Sequence, residues 1–475
     1  MNMKNRLVVL FSLLVIVSTA LASCATPTPQ VVVQTQVVEK TVVVPEVQTQ
    51  VVEKTVVVPQ VQTQVVQVEV TAPPPTPAAK PYDGVELTLA SMTDQYVQTF
   101  RYLLPKFAEQ TGIKITMDEL GYVDLRQKLI ADFVAHTAQY DLMTVDIVWS
   151  GEFAANKNTV DLTDLIANDK TALKLDDIPP VMWTQGEYQG RQVAFPLGGY
   201  ANVLNYRKDL FDAAGIKPPT TQEEMLEAAK KLTDAGKGVY GIALLGAGSA
   251  GAQDFMVFVQ QHGGTILDKF GKPQVNSADN VKTLEYFGSL FKYAPPGNAD
   301  YWWDQRETAF KQGQVAMMEG WSISRNDYED PTISKVVGQV DITQAPTAAG
   351  MQPKFGFGGW GLAINADSDK KKQEAAWVFI SWLASPEVQK EWVLHRGPPL
   401  RISTMQDPDV VKALPWMPKL LDSFLKGDGN YRPRIPQYSI IEDALGTYVN
   451  SFLVGKDTAQ SALDKAQAQI EKNWK

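Results

Sequence analysis

The chain has 475 residues, a formal net charge of −9 and one cysteine. An acidic chain is a poor partner for nucleic acid, and a lone thiol supports neither an internal disulfide nor a paired-cysteine redox site. Of its 11 Trp, 16 Tyr and 18 Phe, tryptophan is the informative excess, because it is rare on average.

The first element in chain order is a leader. Lys4 and Arg6 make a positive segment, Leu7 to Ala20 is apolar, and small residues follow in Leu21-Ala22-Ser23-Cys24. This predicts a signal peptide over 1–23. Its end resembles a bacterial lipobox, in which Cys24 becomes the lipidated first residue of the mature protein and a membrane anchor. Losing Lys4 and Arg6 takes the charge from −9 to −11. Residues 24–82 then carry a Val/Thr/Gln/Pro repeat of period 14, in which Gln34, Gln48 and Gln62 correspond, as do Pro45 and Pro59. Prolines and β-branched residues favour extended backbone, so the segment reads as a stiff tether, able to reach on the order of 180 Å. The alternation in Val-Gln-Thr-Gln-Val keeps a small β-structure as the competing reading.

The body, from residue 83, is too long for one typical domain, and two are expected. Val85 to Ala90 predicts a strand. A helix then runs to about Gly112, with Asp94 as its cap, Phe100, Leu103, Leu104 and Phe107 on one face, and Pro105 inside it. Ile113 to Met117 is a strand, Asp124 caps a helix carrying Leu125, Leu129, Ile130, Phe133 and Val134, and Leu142 to Val148 is a third strand. Alternation of this kind argues for βαβ units and a mainly parallel sheet. Further on, PPTTQEEMLEAAKKL is a helix with a Thr221–Glu224 capping box. VYGIALL and QVAMMEG are strands, AQDFMVFVQQHGG and SADNVKTLEYFGSLFKYA are helices, and KKKQEAAWVFISWLASPEVQKEWVL breaks at Ser385-Pro386, where Ser385 can cap. A last helix places Ala459, Leu463, Ala466, Ile470 and Trp474 on one stripe.

Four segments in order carry a family resemblance: YDLMTVDIVWSGEFA, VAFPLGGYANVLNYRKDLFDAAGIKPPTTQEEM, AFKQGQVAMMEGWS and FGFGGWGLAINADSDKKKQEAAWVFISWLASPE. Together they resemble the extracellular solute-binding proteins of sugar-importing ABC transporters, the family of maltose-binding protein, across residues 83–475. The resemblance implies a two-lobed α/β periplasmic-binding-protein-like fold (type II), each lobe a mainly parallel sheet flanked by helices, joined by a hinge that the chain crosses more than once. Lobe 1 would be 83–197 plus 350–395, and lobe 2 would be 198–349 plus 396–475. It implies capture of a carbohydrate by lobe closure and delivery to ABC permease subunits, by a monomer without cofactor, metal or catalysis.

The residues themselves are consistent with that. His136, His262 and His395 lie in or at the ends of helical patterns and read as structural, with no HExxH spacing. GAGSAG misses the nucleophile elbow, because Ala247 stands where a glycine is needed. It does match GxGxxG through Gly246, Gly248 and Gly251, with Asp268 17 residues on. An exported lipoprotein meets little dinucleotide, so Gly248 and Ser249 read as a permissive loop beside a ligand cleft. Trp377, Trp382, Trp392 and Trp474 belong to helical stripes and predict packing. Trp149, Trp302, Trp303, Trp321 and Trp360 fall in loops or at strand ends, where open α/β sheets hold ligands. A pyranose stacks its C–H face on such rings, while its hydroxyls need planar donors and acceptors. Asp146, Glu152, Asp304 and Arg401 are the polar candidates, with Ser91 and Met92 as the floor. Alternatives are the same fold binding a polyol or polyamine, and a secreted carbohydrate-active enzyme with a carboxylate pair.

Overall fold

A computed structural model describes residues 80–352 and 355–474. The leader, Cys24 and nearly all of the 24–82 tether lie outside the described residues. Helices of nine or more residues are numbered α1–α11, and the strands of the large sheet β1–β9.

β1 (Glu86–Met92), β2 (Lys114–Leu120) and β3 (Leu142–Asp146) alternate with α1 (Val97–Thr111) and α2 (Tyr122–Ala135). β2 and β3 pair in parallel on either side of β1. Leu87 and Leu89 point to one side of β1 and are buried, and α1 buries Phe100, Leu103 and Phe107 along one stripe. Asp94 does not cap α1: Tyr96 holds the N-cap position. Asp124 sits in the first turn of α2 behind Gly121, where the helix dipole favours it.

The chain then enters β4 (Phe195–Arg207), α3 (Gln222–Leu232), β5 (Tyr240–Ile242), α4 (Gly248–Gln261), α5 (Ala278–Leu290), α6 (Trp303–Lys311), β6 (Val315–Trp321) and β7 (Val340–Gln344). It returns through β8 (Phe355–Ile364), α7 (Lys370–Ala384) and α8 (Pro386–Leu394), and finishes with α9 (Met417–Leu425), β9 (Gly427–Asp428), α10 (Tyr438–Leu453) and α11 (Ala459–Asn473). Thr221 and Glu224 close the expected capping box of α3. Ser385 and Pro386 break α7 from α8 as expected, but the Ser385 hydroxyl donates back to the Trp382 carbonyl and does not cap. Trp377 and Trp392 are buried, their indole N–H groups bonded to Asp169 and to the Pro398 carbonyl. α4 is buried from Ala250 to Gln261 and packs against α10.

The sheet order is β2-β1-β3-β8-β4-β6-β5, with β7 beside β4 and β9 beside β8. Pairing is parallel at the two outer ends, as the alternation predicts, and antiparallel where β4 and β8 meet each other and β3, β6 and β7, with the short β9 parallel to β8. The reason is that these two strands run through the junction in opposite directions. Phe195–Ala201 of β4 pairs with β8, while Asn202–Tyr206 pairs with β6. One continuous strand thus belongs to both halves of the molecule. At the junction the register slips between Trp360 and Gly361, which bends and twists the strand. Gly198 (φ 156°) and Gly359 (φ 140°) adopt backbone conformations that other residues rarely reach. A Cβ on Gly198 would lie 2.4 Å from the Pro398 carbonyl oxygen.

Candidate ligand-binding cleft

Between the two halves lies a cavity of about 890 Å³. One wall comes from the carboxyl ends of β1 and β3 and the start of α2: Met92, Asp94, Gln95, Tyr122 and Asp146. The other comes from α6 and the end of β6: Trp302, Trp303, Asp304, Glu307 and Trp321. Tyr200 of β4, Trp360 of β8 and Arg432 form the base. Ligands are expected at these strand ends, because backbone and side chains converge there without being consumed by sheet pairing.

The aromatic groups form a cage around Tyr122. Its ring centroid lies 4.9 Å from Trp149, 6.1 Å from Trp360 and 5.7 Å from Trp303. The contact with Trp303 spans the cleft, because the two rings belong to opposite halves. Trp149 and Trp360 meet edge to face at 5.5 Å. Register explains the placement of Trp360, which pairs across the sheet with Asp146.

The polar groups are held just as firmly. Asp146 accepts the Tyr122 hydroxyl at 2.9 Å and lies 3.6 Å from Nη2 of Arg432. Arg432 is 2% exposed, its guanidinium 5.8 Å from the centre of the Trp321 ring and 5.3 Å from that of Tyr431. Its Nε and Nη1 find no acceptor among the described residues. Gln253 of α4 donates to Glu442 at 2.8 Å, which fixes its amide beside Tyr122.

Asp94 is half-buried and accepts from the Gln95 backbone N–H at 2.7 Å and the Tyr200 hydroxyl at 2.9 Å. Burial pushes its pKa up to about 6; those two hydrogen bonds oppose the rise, and Asp327 and Glu307 add to it. A raised carboxylate pKa means that its stabilising contribution is full below the unfolded value of 3.8 and is lost as pH rises through about 6. Asp94→Asn is therefore expected to raise stability by about 1 kcal/mol at pH 7.5 and by nothing at pH 3.5. Urea denaturation at the two pH values checks it, and an equal effect at both would refute the assignment.

Seven of the sequence-predicted residues line the cavity: Met92, Asp146, Trp302, Trp303, Asp304, Trp321 and Trp360. The others do not. Side chains alternate along β1, so Met92 reaches the cavity while Ser91 is buried, its hydroxyl bonded to the Met92 carbonyl. Trp149 is 2% exposed and supports Trp360 and Tyr122 from behind. Glu152 pairs with Arg126 at 2.6 Å. Gly248 lies under Trp302, and a Cβ there would fall 2.8 Å from its Cζ2; Ser249 follows on the same helical turn, off the wall. Arg401 is a correction: it is fully buried and donates to the carbonyls of Leu173, Lys174 and Ala384, so it braces the chain next to α7. Asp94, Tyr122, Tyr200, Gln253 and Arg432 were missed. Asp94 was masked by its plausibility as a cap, and Arg432 stands in YRPRIPQ, which has no periodicity to mark a direction. None of the histidines lines the cavity: His136, on the surface, bonds Asp367, His262 the Phe258 carbonyl and His395 the Glu391 carbonyl.

Comparison with known proteins places the chain among binding proteins. A solute-binding protein of an ABC transporter from Agrobacterium radiobacter K84, solved in complex with ribitol, is 48% identical, covers 83% of this chain and 100% of its own, and superposes with a TM-score of 0.80. A probable amino-acid ABC transporter periplasmic-binding protein from Sinorhizobium fredii is 26% identical over 82% of this chain and 90% of its own. A mannitol-binding protein from Pseudomonas aeruginosa is 27% identical over 74% and 84%. All three are binding proteins. Residues 91–390 match the family described as bacterial extracellular solute-binding protein, and with more than half of its length so matched, on a fold of two α/β halves around a cleft, the chain belongs to that family.

Proposed function

We propose that the cleft captures a neutral polyhydroxylated solute, a sugar or sugar alcohol, outside the cytoplasm and presents it to an ABC importer. The observation that carries this reading is the set of cavity-lining rings Tyr122, Trp303, Trp321 and Trp360 beside a fixed Asp146–Arg432 couple: rings for C–H faces, a planar donor and a planar acceptor for neighbouring hydroxyls. The lobes are assigned as 83–197 with 350–395, and 198–349 with 396–475; the change of partner along β4 supports that division. Rotation at Gly198 and Gly359 would close them, with the ligand favouring the closed form. In this reading Cys24 carries the lipid anchor, residues 24–82 form the leash, and the receptor acts as a monomer.

The cleft's charge separates solutes. Asp94, Asp124, Asp146, Asp304, Glu307 and Asp327 line it against Arg432 and Lys311. A carboxylate ligand meets like charge, so ribonate is expected to bind about 30-fold more weakly than ribitol at pH 7.5, a cost of roughly 2 kcal/mol. The gap should narrow as pH falls through about 6 and Asp94 is neutralised. The same repulsion disfavours an amino acid carboxylate.

Tryptophan fluorescence titration with ribitol, mannitol, tagatose, maltose and glutamate tests the reading, followed by a search for product. Saturable binding of a neutral polyol or sugar with Kd near micromolar, about −8 kcal/mol, and no product, is the expected result. Turnover, or a response to glutamate alone, would overturn it.

A further inference from the structure

A second groove, of about 770 Å³, opens beside the C-terminal end of α8 and shares no residue with the cleft. Its lining has the opposite charge. Lys208, Arg325, Arg396, Lys412 and Lys419 line it against the two carboxylates Glu329 and Asp341, in a chain whose net charge is −9. Part of that positive charge is already engaged: Arg396 with Asp327 and Asp330, Lys419 with Asp341, Arg325 with Glu329. Lys208 and Lys412 are exposed and make no ion pair among the described residues.

Arg325 is the built part of the site. It is 5% exposed, and its guanidinium carbon lies 4.4 Å from the centre of the Trp416 ring. Nη2 donates to Glu329 at 2.7 Å and to the Val340 carbonyl at 2.9 Å, whereas Nε and Nη1 have no acceptor among the described residues. A buried guanidinium with two idle donors is an unfinished network, since nearly all buried donors in folded proteins are paired. The apolar walls from Val393, Leu414 and Trp416 lower the local dielectric and strengthen any charge pairing there.

We propose that this groove is a second ligand site, for a small oxyanion of the phosphate or carboxylate class. Arg325 sets a fixed, buried positive charge in the groove wall, which favours an oxyanion there. Lys208 and Lys412 supply the charge that the protein's own carboxylates leave unneutralised. The acid-lined cleft would repel the same anion, so the two sites take different classes of ligand. The anion has two possible sources, a free solute or the headgroup of an anionic lipid.

The test is calorimetric titration of the full chain with inorganic phosphate and with citrate, at constant ionic strength held by chloride. Saturable binding with Kd in the millimolar range or below is expected. The double variant Lys208→Gln/Lys412→Gln should weaken it at least tenfold while binding of the cleft ligand stays unchanged, which also shows that the variant is folded. Cosedimentation with phosphatidylglycerol vesicles, competed by phosphate and absent with phosphatidylcholine, would assign the headgroup as the source; binding of free anion without cosedimentation would assign a solute. No saturable heat and no cosedimentation, or an affinity unchanged in the double variant, would overturn the proposal and leave the cleft reading untouched.

Discussion

Arg432→Met is expected to weaken binding of the cleft ligand by about 100-fold or more, the loss of one or two charge-assisted hydrogen bonds at roughly 1.5–3 kcal/mol each. It is also expected to cost stability. Asp146 is 5% exposed and would keep, among the described residues, only the Tyr122 hydroxyl as side-chain partner. Truncating one member of a buried ion pair leaves an uncompensated charge, typically at about 3–5 kcal/mol. The two effects separate with Arg432→Lys. An ammonium restores the charge beside Asp146 but lacks the planar fork and the ring contacts with Trp321 and Tyr431. Stability should recover in large part and affinity should not. Calorimetry for binding and urea denaturation for stability check both, and an Arg432→Met affinity within threefold of the parent protein would remove Arg432 from the site.

Gly198→Ala is expected to destabilise the fold by about 3 kcal/mol or more, combining backbone strain with overpacking against main chain. The φ of 156° already disfavours a side chain, and the added Cβ would lie 2.4 Å from the Pro398 carbonyl oxygen. That carbonyl cannot swing aside cheaply, because it accepts the buried Trp392 indole at 2.8 Å. The next residue is tied to the same segment, since Gly199 N–H donates to the Pro399 carbonyl at 3.1 Å. Gly190→Ala is the control. Its φ of 77° is also left-handed, but a Cβ there meets nothing within 4 Å, so only about 1 kcal/mol of strain is expected. Equal urea midpoints for the two variants would show that close approach at the crossing does not matter.

Both variants lie where local sequence is least informative, and the contrast with the rest of the chain has a physical basis. The stripe Ala459, Leu463, Ala466 and Ile470 in α11 is buried as its spacing predicts, because a helix turns its apolar residues to one side whatever it packs against. The Thr221–Glu224 box and the Ser385-Pro386 break are likewise local, decided within one turn of backbone. Trp321 ends β6 and lines the cleft, because strand ends are recognisable from the strands themselves; Trp360, expected in a loop or at a strand end, lies inside β8 and lines the cleft beside its sheet partner Asp146. Ser91 and Arg401 were misplaced for the complementary reason. Which side of β1 faces the cleft depends on the sheet's orientation, and Arg401 is claimed by carbonyls at Leu173 and Lys174 more than 200 residues earlier in the chain.

The sequence by itself determined the two-half α/β plan, the family and several of the tryptophans that line the cavity. Periodicity, capping and turn chemistry act over a few residues and leave their mark in composition order. Only the tertiary structure decided that Asp94 faces the cleft, that Tyr122 meets Trp303 across it, and that Arg432 comes to rest beside Asp146. Those contacts exist because β4 and β8 carry the chain back and forth between the halves in a particular register. Register is set by the summed packing of the whole sheet, and no single stretch of residues encodes it.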